Sequence, residues 1–184
     1  MDHELFGPLQ YYPADEYWTG KVCLHRIAAF GAKPYDDDAT RQRRREGNLP
    51  LVIYDPTGKG PSPRQEEAYR FLLDNEDDVL RHALGALFES YQEYADSPMS
   101  VIWGWVGRWL GVRPITSPAG LAVAAEFNGV EIAREYHRDS AYVVFNVHCD
   151  WDSEHGMMVV YHKDKPATCT TWDAFDLESD GPEE

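Results

Sequence analysis

Basic residues, paired cysteines and long apolar runs are all scarce in this chain of 184 residues. Seventeen Lys and Arg face 32 Asp and Glu, so the formal net charge is −15. Such a surface disfavours nucleic acid as a partner and suits a basic protein better. The three cysteines form no CxxC pair, which argues against a disulfide framework and a thiolate zinc site and favours a reducing cytoplasm.

The sequence also offers no segment for export or membrane insertion. Its first ten residues, MDHELFGPLQ, lack an apolar core, and the apolar run VIWGWVG is too short to span a bilayer. A hydrophobic content of 43% nevertheless excludes global disorder, and the 13% aromatic share favours sheet surfaces. We expect a cytoplasmic protein with one α+β domain over residues 1–175 and a frayed acidic tail over 176–184.

Two helices are predicted in the middle of the chain. Ser62, Pro63 and Gln65 have the capping-box pattern, and Asn75 is placed to cap a second helix with an apolar stripe. Beyond it, Trp103, Trp105 and Trp109 lie close together, either in a short buried helix or in a loop that presents aromatic surface to a partner. Two or three helices within residues 62–110 are therefore expected to cover one face of a sheet.

The remaining segments read as strands and loops. A strand or hairpin is predicted for residues 17–30 and a strand for 49–54, with the charged block between them in a solvated loop whose arginines could pair with phosphate or carboxylate. The TGKG that follows lacks the spacing of a phosphate-binding loop. From residue 114 onward we expect strands at 121–127, 130–136 and 167–172 and a strand pair within 142–161. Asn128-Gly129 is a strong hairpin signal and Asp139-Ser140 a weaker one, so these strands form an antiparallel meander.

The most distinctive stretch is YVVFNVHCDWDSEHGMMVVY, from Tyr142 to Tyr161. Its apolar ends predict two antiparallel strands, joined by an acidic loop DWDSEHG in which Gly156 supplies a positive φ. The purely structural interpretation of this loop is a turn in which Trp151 anchors the hairpin to the core.

The same loop contains the best candidates for chemistry. Asp150, Asp152 and Glu154 alternate, as ligands of a hard cation would, but Gly156 falls one place too late for a calcium loop. No two histidines have a spacing that reliably makes a zinc site. Cys149 next to His148 suggests a nucleophile and base, yet neighbouring residues of a strand face opposite sides, so Cys149 is expected to be buried. We therefore predict no catalytic residue, metal or cofactor. The candidate ligand- or partner-binding residues are Asp150, Trp151, Asp152, Glu154, His155, Trp103 and Trp105.

The hairpin resembles a bacterial family catalogued as a domain of unknown function, the 6985 family, with a CxWDxEHG signature. The residues that carry the resemblance are Cys149, Trp151, Asp152, Glu154, His155, Gly156, Val159, Val160 and His162. The chain departs from the family pattern at Met157-Met158 and Thr170-Thr171, which weakens any inference of a shared ligand. The resemblance implies no activity, although some members look like the acidic immunity partners of bacterial toxins.

Two functions remain open. The first is a non-catalytic, immunity-like module whose acidic and aromatic surface masks a basic protein such as a toxin. The second is a metal-assisted hydrolase or small-ligand binder that uses the acidic loop at residues 150–155.

Overall fold

The computed structural model describes residues 1–31, 38–96 and 114–171, and it confirms an α+β fold. Within those ranges no helix is long and apolar enough to cross a membrane. The helices are α1 His25–Ala29, α2 Asp38–Arg45, α3 Pro63–Asp74, α4 Glu76–Ala95 and a short 3-10 helix Pro118–Val123. The strands are β1 Asp2–His3, β2 Gly7–Pro8, β3 Gln10–Tyr12, β4 Tyr17–Cys23, β5 Asn48–Tyr54, β6 Ala125–His137, β7 Ser140–Cys149, β8 Asp152–His162 and β9 Lys165–Thr171.

Strands β3 to β9 form one seven-stranded sheet in chain order, and β1 pairs separately with β2. Every neighbouring pair is antiparallel except β5 and β6, which run parallel. The sheet is thus mostly antiparallel, as the sequence predicted, with one parallel pair. A parallel pair needs a long crossover, and α3 and α4 lie in the connection between β5 and β6.

The hydrophobic core lies between these helices and one face of the sheet. Alternate strand residues such as Leu51, Val130 and Phe145 are at most 1% exposed, and Leu72 of α3 and Leu87 of α4 pack into the same cluster. Because side chains alternate along a strand, the residues between them point away from the helices. They form what we name the second sheet face, which carries Tyr12, Tyr17, Tyr54, Glu131, Val144, Asn146 and His148.

The strongest hairpin signal in the sequence proved wrong. Asn128 lies inside β6, which runs on from Ala125 to His137, and the register shifts between Phe127 and Gly129 as in a β-bulge. Phe127 and Val130 on either side are both 1% exposed, so continuing the strand buries both of them. The β6–β7 turn comes instead at the weaker signal, with Arg138 at φ 57°.

Three more expectations changed. Residues 17–30 divide into β4 and α1, the start of the predicted strand 121–127 is the 3-10 helix, and the charged block forms α2 from Asp38 onward. Arg44 of α2 is only 6% exposed, because its guanidinium donates to the Glu126 carboxylate at 2.6 Å and to the Ala28 carbonyl at 3.1 Å. The arginine block thus pairs with a carboxylate and fastens α2 to β6.

The capping box of α3 is confirmed. The Gln65 N–H donates to Ser62 Oγ, and the Ser62 N–H donates to Gln65 Oε1. Asn75 does not cap α4 with its side chain, which donates to the Phe71 carbonyl instead. The Trp103 to Trp109 cluster and the acidic tail lie outside the described residues.

Asp55 closes the loop that follows β5. Its carboxylate accepts hydrogen bonds from Trp18 Nε1 at 3.0 Å, from the Thr57 N–H and hydroxyl at 2.9 and 2.6 Å, and from the Gly60 N–H at 2.8 Å. Burial by itself raises the pKa of Asp55, but these donors outweigh it and lower the pKa to about 2.

We expect Asp55→Asn to destabilise the fold and to flatten its acid dependence. Because the folded-state pKa is depressed, this carboxylate stabilises the protein above pH about 4, and the contribution of about 2 kcal/mol is lost as the pH falls to about 2. Urea unfolding at pH 2.5, 4 and 7 measures it, with the exposed Asp74→Asn as the matched control. Equal pH dependence in Asp55→Asn and the wild type would contradict this role.

Candidate binding surface on the second sheet face

The β7–β8 hairpin is tighter than the sequence suggested. Cys149 pairs directly with Asp152, so only Asp150 and Trp151 form the turn, and the predicted loop DWDSEHG is wrong. The surplus residues are taken up as a bulge in β8, where the register shifts between Val147 and Cys149 of the partner strand. Gly156 does have a positive φ of 66°, but it lies in this bulge.

Trp151 joins the hairpin to the helical layer, as the purely structural interpretation of the loop predicts. Its ring meets that of Tyr91 on α4 edge to face, with centroids 5.3 Å apart. The Asp150 N–H donates to the Ala124 carbonyl at 2.8 Å and fixes the other side of the turn. The position of Trp151 is therefore explained by packing.

The acidic residues of the hairpin do not converge on one point. Asp152 accepts a hydrogen bond from the His155 N–H and lies 3.1 Å from His155 Nδ1, whereas Asp150 lies 3.8 Å from His148 Nε2. In the part of the chain that the structure describes, no three His, Cys, Asp or Glu side chains could hold one metal ion. No preformed site for the metal-assisted alternative is present there.

The nucleophile and base suggested by Cys149 and His148 are also separated. Cys149 is 0% exposed in the core, whereas the side chain of His148 is 40% exposed on the second sheet face. His162 has a structural role. Its Nε2 lies within hydrogen-bond distance of the His137 and Ser140 carbonyls, and its Nδ1 accepts a hydrogen bond from the Asp164 N–H. These bonds fix a neutral tautomer with the proton on Nε2.

A cavity of about 270 Å³ opens beside the β8 bulge. It brings together Glu154 and His155 from the predicted set with Asn146 and His148 of β7. The complete lining is Asn128, Asn146, Val147, His148, Glu154, His155, Gly156 and Met157. The hairpin thus contributes polar groups to one end of the second sheet face.

At the other end of that face, three tyrosines form a row across β3, β4 and β5. Tyr12 pairs with Tyr17 and Tyr17 with Tyr54, with ring centroids 5.6 and 6.1 Å apart. Tyr12 and Tyr54 are 38% and 39% exposed. The alternation of YWTG and LVIY contained this signal, but only the strand pairing shows that the rings are neighbours.

Glu131 lies between the tyrosine row and the cavity. It is 7% exposed, and its Oε1 accepts a hydrogen bond from Asn146 Nδ2 at 2.7 Å. Burial, followed by the charge of Glu131 and a hydrogen bond to it, raises the pKa of Tyr54 to about 12. Among the described residues no Lys, Arg or His makes an ion pair with Glu131.

This arrangement is rich in acceptors and aromatic rings. A buried carboxylate is costly unless a cation or several donors compensate it. Tyrosines combine a large apolar ring with a polar tip and are enriched in protein interfaces. The second sheet face therefore carries groups that can contact cationic and apolar groups, while Val144 between them is itself only 1% exposed.

A comparison with family models gives one match, to a family described as "Domain of unknown function (DUF6985)", over residues 6–175. No curated protein and no solved structure matches the chain.

Glu131→Gln should lower the pKa of Tyr54 from about 12 toward, but not to, 10, because the charge is removed while the burial stays. Absorbance titration at 295 nm measures it, with Tyr54→Phe in each background to isolate this phenol. Glu135→Gln is the control and should have a smaller effect. A Tyr54 pKa that is the same in Glu131→Gln as in the wild type would show that Glu131 does not act on the Tyr54 hydroxyl.

Trp151→Ala should lower the free energy of unfolding by about 2–3 kcal/mol, somewhat less than for a fully buried tryptophan, because its contact with Tyr91 is lost. Urea unfolding is the measurement, and Tyr94→Ala on the exposed side of α4 is the control. A Trp151→Ala protein as stable as the wild type would show that the hairpin is not anchored through this ring.

Proposed function

We propose that this chain, which belongs to the DUF6985 domain family, is a non-catalytic protein-binding module that receives a basic protein on its second sheet face. One observation carries the proposal. The exposed tyrosine row lies beside Glu131, a buried carboxylate without a cationic partner among the described residues.

The charge of the protein favours the same class of partner. The net charge is −15, and the exposed Asp15 and Glu16 occupy the β3–β4 turn next to Tyr12 and Tyr17. An acidic surface accelerates association with a basic partner and repels nucleic acid. The tyrosines supply the apolar contact area that holds a complex together once it has formed.

The hairpin is proposed as the second part of the interface. On β7, Val144 lies opposite Glu131, and His148 at the cavity is four residues further along the strand, or about 13 Å away. A typical interface of about 800 Å² per partner is roughly 30 Å across and would cover both ends. Asp150, Trp151, Asp152, Glu154 and His155 belong to the proposed contact residues, as do Trp103 and Trp105 from the sequence alone.

An immunity-like role fits this geometry. A bacterial immunity protein would act in the cytoplasm and hold a basic toxin by covering its cationic surface. The resemblance of some members of the 6985 family to toxin-immunity proteins supports this proposal, together with the acidic charge of the chain.

Affinity capture from the source organism, followed by mass spectrometry, tests the proposal. We expect the wild type to retain a basic protein, encoded beside this chain if the role is immunity. Tyr12→Ser/Tyr17→Ser should weaken the purified complex by about tenfold or more, and salt should weaken it further.

The matched control is Tyr94→Ser/Val123→Ser, which changes two residues that are 39% and 73% exposed elsewhere. It should bind the partner like the wild type. The proposal fails if no basic protein is retained, or if the purified partner binds the Tyr12/Tyr17 variant as tightly as the wild type.

A further inference from the structure

Glu131 differs from Asp55, which is buried, and from Glu126, which is partly buried. Asp55 is compensated by donors from Trp18, Thr57 and Gly60, and Glu126 is paired with Arg44 at 2.6 Å. Glu131 is as deeply buried as Asp55, at 7% against 6%, yet among the described residues the groups that face its carboxylate are the Asn146 amide, at 2.7 Å, and the Tyr54 hydroxyl.

These two groups leave part of the carboxylate unused. A carboxylate can accept about four hydrogen bonds. Asn146 Nδ2 donates one at 2.7 Å, and the Tyr54 hydroxyl lies near the same carboxylate. Room for further donors therefore exists at a carboxylate that is only 7% exposed.

The aromatic rings near Glu131 indicate which kind of cationic hydrogen-bond donor would fit beside it. Tyr54 reaches Glu131 with its hydroxyl, and Tyr17 meets Tyr54 at an interplanar angle of 80°. A guanidinium is planar, weakly hydrated and able both to stack on an aromatic face and to bond a carboxylate through two N–H groups. The protein already contains one such stack, with Arg64 3.5 Å above the centre of the Tyr136 ring.

We infer that Glu131, Tyr54 and Tyr17 form a binding site for a single guanidinium group, supplied by an arginine side chain of the partner. The inference rests on the proposed function and names the anchor of that interface. Asn146 positions the Glu131 carboxylate from the side of the β8 cavity.

A small probe tests the site without the partner. N-acetyl-arginine amide should bind the wild-type chain saturably with a Kd on the order of 1 mM, shifting the NMR signals of β5 and β6. The neutral analogue N-acetyl-citrulline amide should not bind, and N-acetyl-lysine amide should bind at least about threefold more weakly.

Two substitutions locate the binding. Glu131→Gln keeps an acceptor for Asn146 and should fold, but it should weaken the arginine probe at least about tenfold. Glu135→Gln removes a nearby carboxylate that pairs with Arg134, and should change the affinity by less than about twofold. Unfolding curves of both variants confirm that they are folded.

Several results would overturn the inference. They are a lack of saturable arginine binding, equal binding of the citrulline or lysine probe, and equal losses in the Glu131 and Glu135 variants. If the probe fails while a basic protein is still held through Tyr12 and Tyr17, only this inference falls. If the probe binds but no basic protein is retained, the guanidinium site stands and the proposed function falls.

Discussion

The parallel pairing of β5 with β6 organises the rest of the molecule. It joins two antiparallel parts of the sheet, β3–β5 and β6–β9, and its connection contains the two longest described helices. Gln65 of α3 holds the junction, because its side-chain amide donates to the Tyr54 carbonyl at 2.8 Å and to the Ala133 carbonyl at 3.1 Å. The register places Val52 opposite Glu131. Tyr54, two residues further along β5, therefore lies on the same face of the sheet as Glu131. Without this pairing the tyrosine row and Glu131 would not meet.

Two buried acids, Asp55 and Glu131, and the partly buried Glu126 show how the fold treats charge. Asp55 stabilises the loop after β5, because three of the four hydrogen bonds that its carboxylate accepts come from that loop. Glu126 joins β6 to α2, because its carboxylate forms an ion pair with the guanidinium of Arg44. Glu131 accepts a hydrogen bond from Asn146 but makes no ion pair among the described residues, and for this reason we propose a binding role for it. The cost of burying its charge is a reason to assign it to binding.

The hairpin and the second sheet face together give a consistent picture of function. Packing on Tyr91 and backbone bonds explain the turn itself, while the bulge of β8 opens a polar cavity beside it. The side chains of the second sheet face lead from that cavity through Asn146 and Glu131 to the tyrosines. This combination of acids and phenols is the reason why we propose a basic macromolecule as the partner.

Local chemistry determined the features that sequence could predict. The Ser62 capping box, the buried β7 strand, the separation of His148 from Cys149 and the positive φ of Gly156 all follow from residue type and spacing within a few positions. The Asn128-Gly129 signal failed because burial of Phe127 and Val130 outweighed a local turn preference. The burial of Arg44, the parallel strand pair and the meeting of Tyr54 with Glu131 join residues far apart in the chain. Only the tertiary structure could decide these, because strand order and register are set by the packing of the whole sheet against its helices.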